Sequence, residues 1–520
     1  MSKKKFNILF AVAKHIKKWT QQQYSKLKIT KEKHLAVRIP AKQHRIDLKK
    51  ISKNALRVTD TLQQAGYQAF IVGGAVRDLI LNIVPKDFDV ATNATPEQVK
   101  KLFPRALLIG RRFQIVHVRF GKEIIEVSTF RGSSDGLPAD TLPSVEETDE
   151  IETAIQESFS DENEFKNNEK TDHFSHAANP LPEKESFSLK HSHIRRKTDR
   201  LGRVLRDNVW GEQHEDARRR DLTINAMYYD PAKEIVYDYH NGMHDTQQNI
   251  IRMIGNPTQR YREDPVRILR VIRFSSKLGF KIDADTRLPI AGLRHLIANV
   301  PPARLFDETL KLLFSGHAAT TIAQLQTENL IQSLLPLLPR KTDEAGQRFL
   351  QIFLRNTDNR VNNGKSVSPG FTFASLLWPF VQYHWANLPN DLKHSIEAKQ
   401  DIINQVINKQ CQTLFIPKRF IGDIKEIWLL QSRLEKRLTR SMLQLLEHPR
   451  FRAAYDFLLL RSEAGECDNQ ICDWWTLYLG SHADEKRLLI SQLPHSRAGS
   501  SRRRRKKTTL AETKPESEAS

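Results

Sequence analysis

Two aspartates one residue apart, Asp87-Phe88-Asp89, follow an apolar run that ends in Gly73-Gly74, and Arg77-Asp78 lies between the two features. Side chains of an extended segment alternate faces, so Asp87 and Asp89 share a face, roughly 7 Å apart along the backbone. Carboxylates so placed suit a pair of divalent cations about 4 Å apart, an arrangement used for in-line displacement at phosphorus. The glycines let the main chain come close to a phosphate, where a side chain would collide. Alone, an Asp-x-Asp pair equally fits a solvated turn or a helix N-cap, and a Gly-Gly step equally fits an ordinary turn. The order of the two, with an Arg-Asp pair between them, is the restrictive feature.

Two further clusters carry charge in patterns that suit nucleotide chemistry. Residues 206–227 read RDNVWGEQHEDARRRDLTINAM. Here Arg219 and Arg220 flank Asp221, and Asn225 follows. A carboxylate beside guanidiniums stays ionised, and arginines present forked donors to phosphate or ribose oxygens. The same residues equally fit a salt-bridged helix start with Glu215 and Asp216 at its N-terminal end. Residues 261–280 read YREDPVRILRVIRFSSKLGF. The pattern predicts a helix with Pro265 in its first turn and Val266, Leu269, Ile272 and Phe274 on a buried side. Arg267, Arg270 and Arg273 recur every three residues and share a face with Glu263 and Asp264. An amphipathic helix with a charged outer face fits equally. Glu126, in the apparent strand EIIEVSTF, is either another acid of the site or a solvent-facing residue.

Together, GGAVRDLIL…KDFDVAT, the Arg219-Arg220-Asp221 cluster with Asn225, and Glu263-Asp264-x-x-Arg267 resemble the nucleotidyltransferase superfamily, in its bacterial poly(A) polymerase and class II CCA-adding branch. The resemblance covers residues 55–132 and 200–320 well. Between the clusters, VYDYHNGMHDT is similar to the hinge motif of that branch, with Asn241 where a first glycine is usual; asparagine tolerates positive φ better than most residues. The segment LLIGRRFQIVHVRFGKEIIEVSTFRG, with Arg111-Arg112-Phe113 between two apparent strands, is similar to the bacterial poly(A) polymerase signature; a plain basic hairpin is the other reading.

The resemblance implies transfer of AMP from ATP to RNA 3′ ends without a template, releasing pyrophosphate. It implies Asp87 and Asp89 as ligands of two Mg²⁺ ions and, with Asp221, as the catalytic acids; Glu126 competes for the third place. Gly73, Gly74, Arg77, Asp78, Arg219, Arg220, Asn225, Asp264, Arg267 and Arg270 are the implied nucleotide-binding set, Asp264 and Arg267 meeting the base. Arg111 and Arg112 are implied RNA contacts. The alternatives are a CCA-adding tRNA nucleotidyltransferase, and an RNA-binding relative whose transferase site has decayed.

Composition points the same way. Lysine and arginine number 82 against 61 acids, a formal charge of +21 over 520 residues, and the pI is about 9.7. That surplus makes a phosphate polymer the first partner to consider and an anionic membrane surface the second. The charge is uneven: residues 133–192 hold 15 acids, four lysines and no arginine, a net −11 that leaves +32 for the rest. No run of about 18 apolar residues is present for a membrane span. Cys411, Cys467 and Cys472 are too irregularly spaced for a zinc or disulfide framework, which suggests thiols in a reducing, cytoplasmic setting.

The expected fold is α+β, an N-terminal nucleotidyltransferase head with a mixed β-sheet and helices, then an all-α neck and body. The expected parts are a basic N-terminal arm at 1–45, suited to anionic lipid or RNA or simply solvated; a head at 46–132 and 193–250; and a disordered acidic insertion at 133–192, too poor in apolar surface to offset its ordering entropy. A helical neck at 251–320, an RNA-binding body at 321–495 and a disordered basic tail at 496–520 complete the chain. In the tail, Arg502, Arg503, Arg504, Arg505, Lys506 and Lys507 form six consecutive cations suited to nonspecific RNA contact. Body cations Lys418, Arg419, Arg433 and Arg437 are RNA-track candidates, with Phe415 and Phe420 as stacking candidates; solvated cations and core aromatics are the other readings. Oligomeric state is not written in these residues.

Overall fold

The computed structural model describes residues 35–110, 114–132, 197–198, 204–206, 210–338, 344–437 and 442–493. Arg111, Arg112, the acidic stretch 133–192, most of the N-terminal arm and the cations 502–507 lie outside the described residues. The chain divides into two compact units. One runs to Arg220 and resumes over Ile224–Met243; the other holds Asp221–Thr223 and everything from His244 onward.

The first unit is built on an eight-stranded mixed sheet. Its strands are β1 (Val37–Pro40), β2 (Ala69–Val72), β3 (Asp89–Thr92), β4 (Leu107–Ile109), β5 (Ile115–Phe120), β6 (Glu123–Thr129), β9 (Met227–Asp230) and β10 (Ile235–Asp238). Strands β7 (Lys197–Thr198) and β8 (Val204–Arg206) form a separate small antiparallel pair. The spatial order is β1-β10-β9-β2-β3-β6-β5-β4. Only β3 and β6 pair in parallel; every other neighbour is antiparallel.

Alternation sorts the side chains onto two faces. Ile71, Val90, Val116, Val118, Ile125, Val127, Met227, Tyr229 and Val236 face one way, into a core shared with helices α1 (Lys53–Gln64), α2 (Gly74–Ile80) and α3 (Pro96–Leu102). Ser52 starts α1 by accepting from the Asn54 and Ala55 amides, and Ala55, Val58, Thr59 and Leu62 form its buried stripe. Thr95 and Gln98 close a capping box on α3. Phe70, Val72, Ala91, Phe130 and Tyr228 face the other way, where a smaller core forms against Ala217 of α4 (Gln213–Arg219). Asp89 and Glu126 have the parity of this second face but stay exposed.

The turn after β10 adopts the geometry anticipated for Asn241, whose φ is 59°. Asp238 accepts from the His240, Gly242 and Met243 amides and holds the turn shut.

The second unit is helical apart from the two-residue parallel pair β11 (Ile250–Ile251) and β12 (Lys281–Ile282). It contains α5 (Gly242–Gln247, begun in the first unit), α6 (Pro257–Glu263), α7 (Val266–Leu278), α8 (Pro302–Leu313), α9 (Ala318–Thr327), α10 (Glu344–Asn362), α11 (Pro369–Ala386), α12 (Ile396–Cys411), α13 (Lys418–Lys436), α14 (Phe451–Glu463), α15 (Asn469–Gly480) and α16 (Ala483–Ser491). The anticipated helix over 261–280 is two helices: the chain breaks at Asp264 (φ −151°) before Pro265. Proline disfavours helical backbone at the residue before it and lacks the amide a continuing helix would use. Helix α11 is buried on most sides, including Phe373, Leu376, Leu377, Trp378 and Val381. Trp428 of α13 donates to Ala374 O at 3.1 Å and Trp378 donates to Glu466 at 2.7 Å, so the large rings of this core keep hydrogen-bond partners. Among the described residues no helix is long and apolar enough to cross a membrane.

Candidate active site

Strand β2 delivers the chain into Gly73, which caps α2 with φ 76° and ψ −134°. An L side chain is strained there, and a Cβ would stand in van der Waals contact with Arg220 Nη1 at 3.6 Å, Asn225 O at 3.9 Å and Asp89 Oδ2 at 3.9 Å. The bare glycine thus sits where a guanidinium and a carboxylate converge.

Asp87 and Asp89 are exposed while Phe88 and Val90, between and after them, are core residues at 5% and 0% exposure. The alternation read from the sequence holds, and both carboxylates leave one face. Because β3 and β6 run parallel in register, Asp89 lies opposite Glu126. Antiparallel pairing then places His117 of β5 opposite Glu126, with Nε2 3.4 Å from Oε1. A row of ionisable groups therefore crosses three strands. Although Asp89 keeps solvent access, partial burial pushes its carboxyl up to about 6; Glu126 and Asp87 add to the rise and Arg220 opposes it.

Behind this row Arg220 is held from below. Its Nε donates to Asp216 Oδ2 (3.2 Å) and to the Tyr228 hydroxyl (3.1 Å), and its Nη2 donates to Asp216 Oδ2 (3.1 Å). The Tyr228 hydroxyl donates to the same Asp216 oxygen at 2.6 Å. Burial alone would lower the Arg220 guanidinium, but Tyr228 and Asp216 outweigh it and hold it above its ordinary range. Burial, with Asp216 adding, holds the Tyr228 phenol well above its own, so it remains a neutral donor.

Other members of the expected nucleotide set are engaged within the protein. Arg77 is 2% exposed; Nη1 donates to Asn225 Oδ1 at 2.6 Å, while Nε and Nη2 donate to Asp78 Oδ1. Arg77, Asp78 and Asn225 brace the turn against the segment leading into β9. Arg219 Nη1 donates to Gly132 O at 2.7 Å.

In the helical unit, Asp221 accepts from Arg270 Nε at 2.6 Å and from the Leu222 amide at 2.8 Å. Burial would raise its carboxyl, but Arg270 dominates and holds it below the usual range. Asp264 is paired with Arg304 of α8 (2.7 Å), and Arg267 with Glu263 (3.0 Å), so the two residues expected to read the base have separate partners. Further along, Phe420 stacks on Phe306, which stacks on Phe373, and so belongs to the core. Phe415 is 45% exposed between buried Leu414 and Ile416.

Tyr228, His117 and Arg304 escaped the sequence reading, and Asp216 entered it only as part of a salt-bridged helix start, which its ion pair with Arg220 matches. Only the parity of Tyr228 with the apolar residues of β9 and the i, i+4 spacing of Asp216 and Arg220 pointed to them. Both signals also occur in ordinary core and surface positions.

Residues 69–252 match the family described as the poly A polymerase head domain, 279–341 the probable RNA and SrmB-binding site of polymerase A, and 392–509 the polymerase A arginine-rich C-terminus. The chain is 39% identical over 479 residues to poly(A) polymerase I of Salmonella typhi, covering 91% of this chain and 92% of that one. It is 32% identical over 280 residues to a CCA-adding enzyme of Bacillus velezensis, covering only 54% of this chain and 55% of that one. The solved structure of a CCA-adding enzyme, apo form II, superposes with a TM-score of 0.52 at 14% identity, covering 90% of this chain and 97% of that one, which bears on the fold.

Proposed function

The chain belongs to the poly(A) polymerase family and is a polynucleotide adenylyltransferase, and from that premise we propose how its own residues carry the transfer. The reading rests on one observation: Asp89 and Glu126 stand exposed side by side on one sheet face beside the Gly73 turn, with exposed Asp87 just ahead of β3, while the residues alternating with them are core.

The donor set fits Mg²⁺. These are hard oxygen donors, and the carboxyl of Asp89 is raised first by burial and then by the charges of Glu126 and Asp87, with Arg220 opposing, a balance that a bound cation would relieve. Among the described residues no three His, Cys, Asp or Glu side chains form a closed metal cage. Mg²⁺ commonly binds through one or two carboxylates and completes its shell with water and substrate phosphate. We assign Asp87 and Asp89 to that role. Bound there, Mg²⁺ would acidify the RNA 3′-hydroxyl and offset charge on the triphosphate.

The residues of the chain do the rest. The Gly73-Gly74 turn admits the triphosphate to the main chain, and Arg220 faces it from beneath. Arg77, Asp78 and Asn225 keep the turn in place. The RNA 3′-oxygen attacks the α-phosphorus of ATP, a new phosphodiester bond forms, and the bond from that phosphorus to pyrophosphate breaks. Glu126, accessible beside Asp89, is placed to take the hydroxyl proton. Asp221 is assigned to ordering Arg270 in the helical unit, and Asp264 and Arg267 to the adenine edge.

The test supplies purified protein with an unstructured RNA and with a tRNA lacking its terminal CCA, using ATP alone or ATP plus CTP. Long homopolymer tails from ATP are expected. A stop after three nucleotides on the tRNA would instead identify CCA addition. Asp87→Asn should lower AMP transfer by orders of magnitude while RNA affinity and fold persist, and an unchanged rate would sink the assignment of that acid.

A further inference from the structure

Arg220 raises a physical question. A guanidinium that is largely buried loses hydration and is worth placing there only if its orientation is fixed and its donors are used. Three donor contacts to Asp216 and Tyr228 fix the plane of the group from one side. The ring of Tyr228 is itself locked: it is 0% exposed and meets Phe70, Phe130 and Tyr239 edge-on. Asp216 is tied down as well, accepting from the Arg131 amide through its other oxygen at 3.3 Å. The anchor of Arg220 is therefore the small core on the second face of the sheet. Its Nη1 edge lies at the Gly73 turn, close to the point that Asp89 Oδ2 also flanks.

We propose that Asp216 and Tyr228 are positioning residues that aim Arg220 at the triphosphate of the incoming ATP, so that the closed hydrogen-bonded ring Arg220–Tyr228–Asp216 transmits the rigidity of the core to the nucleotide site. This rests on the reading of the Gly73 turn as the phosphate site. The ring is complete without ligand: the tyrosine hydroxyl accepts from Arg220 and donates to Asp216, and Asp216 accepts from both. Removing the hydroxyl leaves the guanidinium charged but less firmly oriented from this side. The loss should fall on groups that Arg220 contacts, the phosphates, and not on adenine, ribose or RNA.

The experiment uses the full chain with Tyr228→Phe, which keeps the ring and its packing, and Asp216→Asn as a stronger perturbation. Tyr228→Phe removes two hydrogen bonds, of which the one accepted from Arg220 sets its aim; a hydrogen bond to a charged group is worth about 1.5 kcal/mol, roughly a tenfold change. The expected result for Tyr228→Phe is a KM for ATP and an inhibition constant for pyrophosphate that each rise about tenfold, with the inhibition constant of adenosine and the KM for RNA unchanged. Asp216→Asn should move the same two constants further. A parallel loss for ATP and adenosine, as a merely structural defect would produce, overturns the proposal, as does an unchanged pyrophosphate constant in folded Tyr228→Phe protein. Failure of the underlying reading shows differently: Asp87→Asn would retain full AMP transfer whatever Tyr228→Phe does to pyrophosphate.

Discussion

Asp89 of β3 and Glu126 of β6 are register partners across the one parallel pairing in the sheet, so their carboxylates leave the same face side by side. Antiparallel neighbours would have required a hairpin or a different strand order; here the crossover between β3 and β6 passes through α3, β4 and β5. The acidic pair is thus a product of topology, with 36 residues of sequence between its members.

That pairing sets a pH dependence. The Asp89 carboxyl, pushed up to about 6 by partial burial with Glu126 and Asp87 adding, holds its proton more tightly folded than unfolded. Metal-free protein should therefore lose this contribution to stability as pH rises from about 4 through about 6. Added Mg²⁺ should raise the melting temperature more at pH 7.5 than at pH 5, because binding is linked to deprotonation. Calorimetry with and without Mg²⁺ checks this, and Glu126→Gln should reduce the difference between the two pH values. Equal Mg²⁺ shifts at both would contradict the assignment of Asp89 as a ligand.

A second prediction concerns Asp221 and Arg270. With Asp221 12% and Arg270 32% exposed, breaking the pair by Arg270→Gln should cost about 3 kcal/mol, the low end of the range for buried pairs. The sign with pH follows from the depressed carboxyl: its stabilisation is complete above the ordinary carboxylate range and is lost as pH falls through the lower folded value. The gap in urea midpoint between parent and variant should accordingly be wide at pH 7 and narrow at pH 3. A gap of the same width at both would mean that Asp221 owes its ionisation to something else.

The Asp87-x-Asp89 alternation was legible because it is a strong local signal, with Phe88 and Val90 inward and Asp87 and Asp89 outward, whereas the juxtaposition of Asp89 with Glu126 depends on strand order. Helix α8 carries clear local signals, a proline pair at its start and Gly316, with φ 81°, just past its end. Helix α11 was not legible, since FTFASLLWPFVQYHWA is buried on most sides and shows no 3.6-residue stripe. The break at Asp264 was obscured by apolar spacing that continues across it. The engagement of Arg77 with Asn225 joins residues 148 positions apart, and no local pattern in either segment distinguishes such a brace from a ligand contact.

Asn241 gives a third prediction, because its φ of 59° is a conformation in which most side chains are strained. Asn241→Ala should destabilise by about 1 kcal/mol. Asn241→Gly should be close to neutral, glycine trading relief of strain against greater unfolded-state entropy. Urea unfolding of both variants reads the difference, and an alanine variant as stable as the parent would show that the turn relaxes out of the left-handed region.

Phe415 supplies the fourth. Its neighbours Leu414 and Ile416 are 0% and 2% exposed, so an extended segment is pinned on one side and pushes one aromatic ring outward at 45% exposure. The Phe415 amide donates to Pro302 O, fixing the segment against the start of α8, and exposed Lys418 and Arg419 follow three and four residues later. A ring held outward, with two cations close by in sequence, offers a stacking platform for an unpaired RNA base, which is worth about 1–3 kcal/mol per base. Phe415→Ala should therefore weaken binding of unstructured RNA by about fivefold or more, measured by fluorescence anisotropy, with the KM for ATP unchanged. Phe415→Trp should retain affinity, since it keeps the π-face. Phe420→Ala, which removes a ring stacked on Phe306, should instead lower the melting temperature. Unaltered RNA affinity in the Phe415→Ala protein would return that ring to the ordinary exposed hydrophobics of the surface.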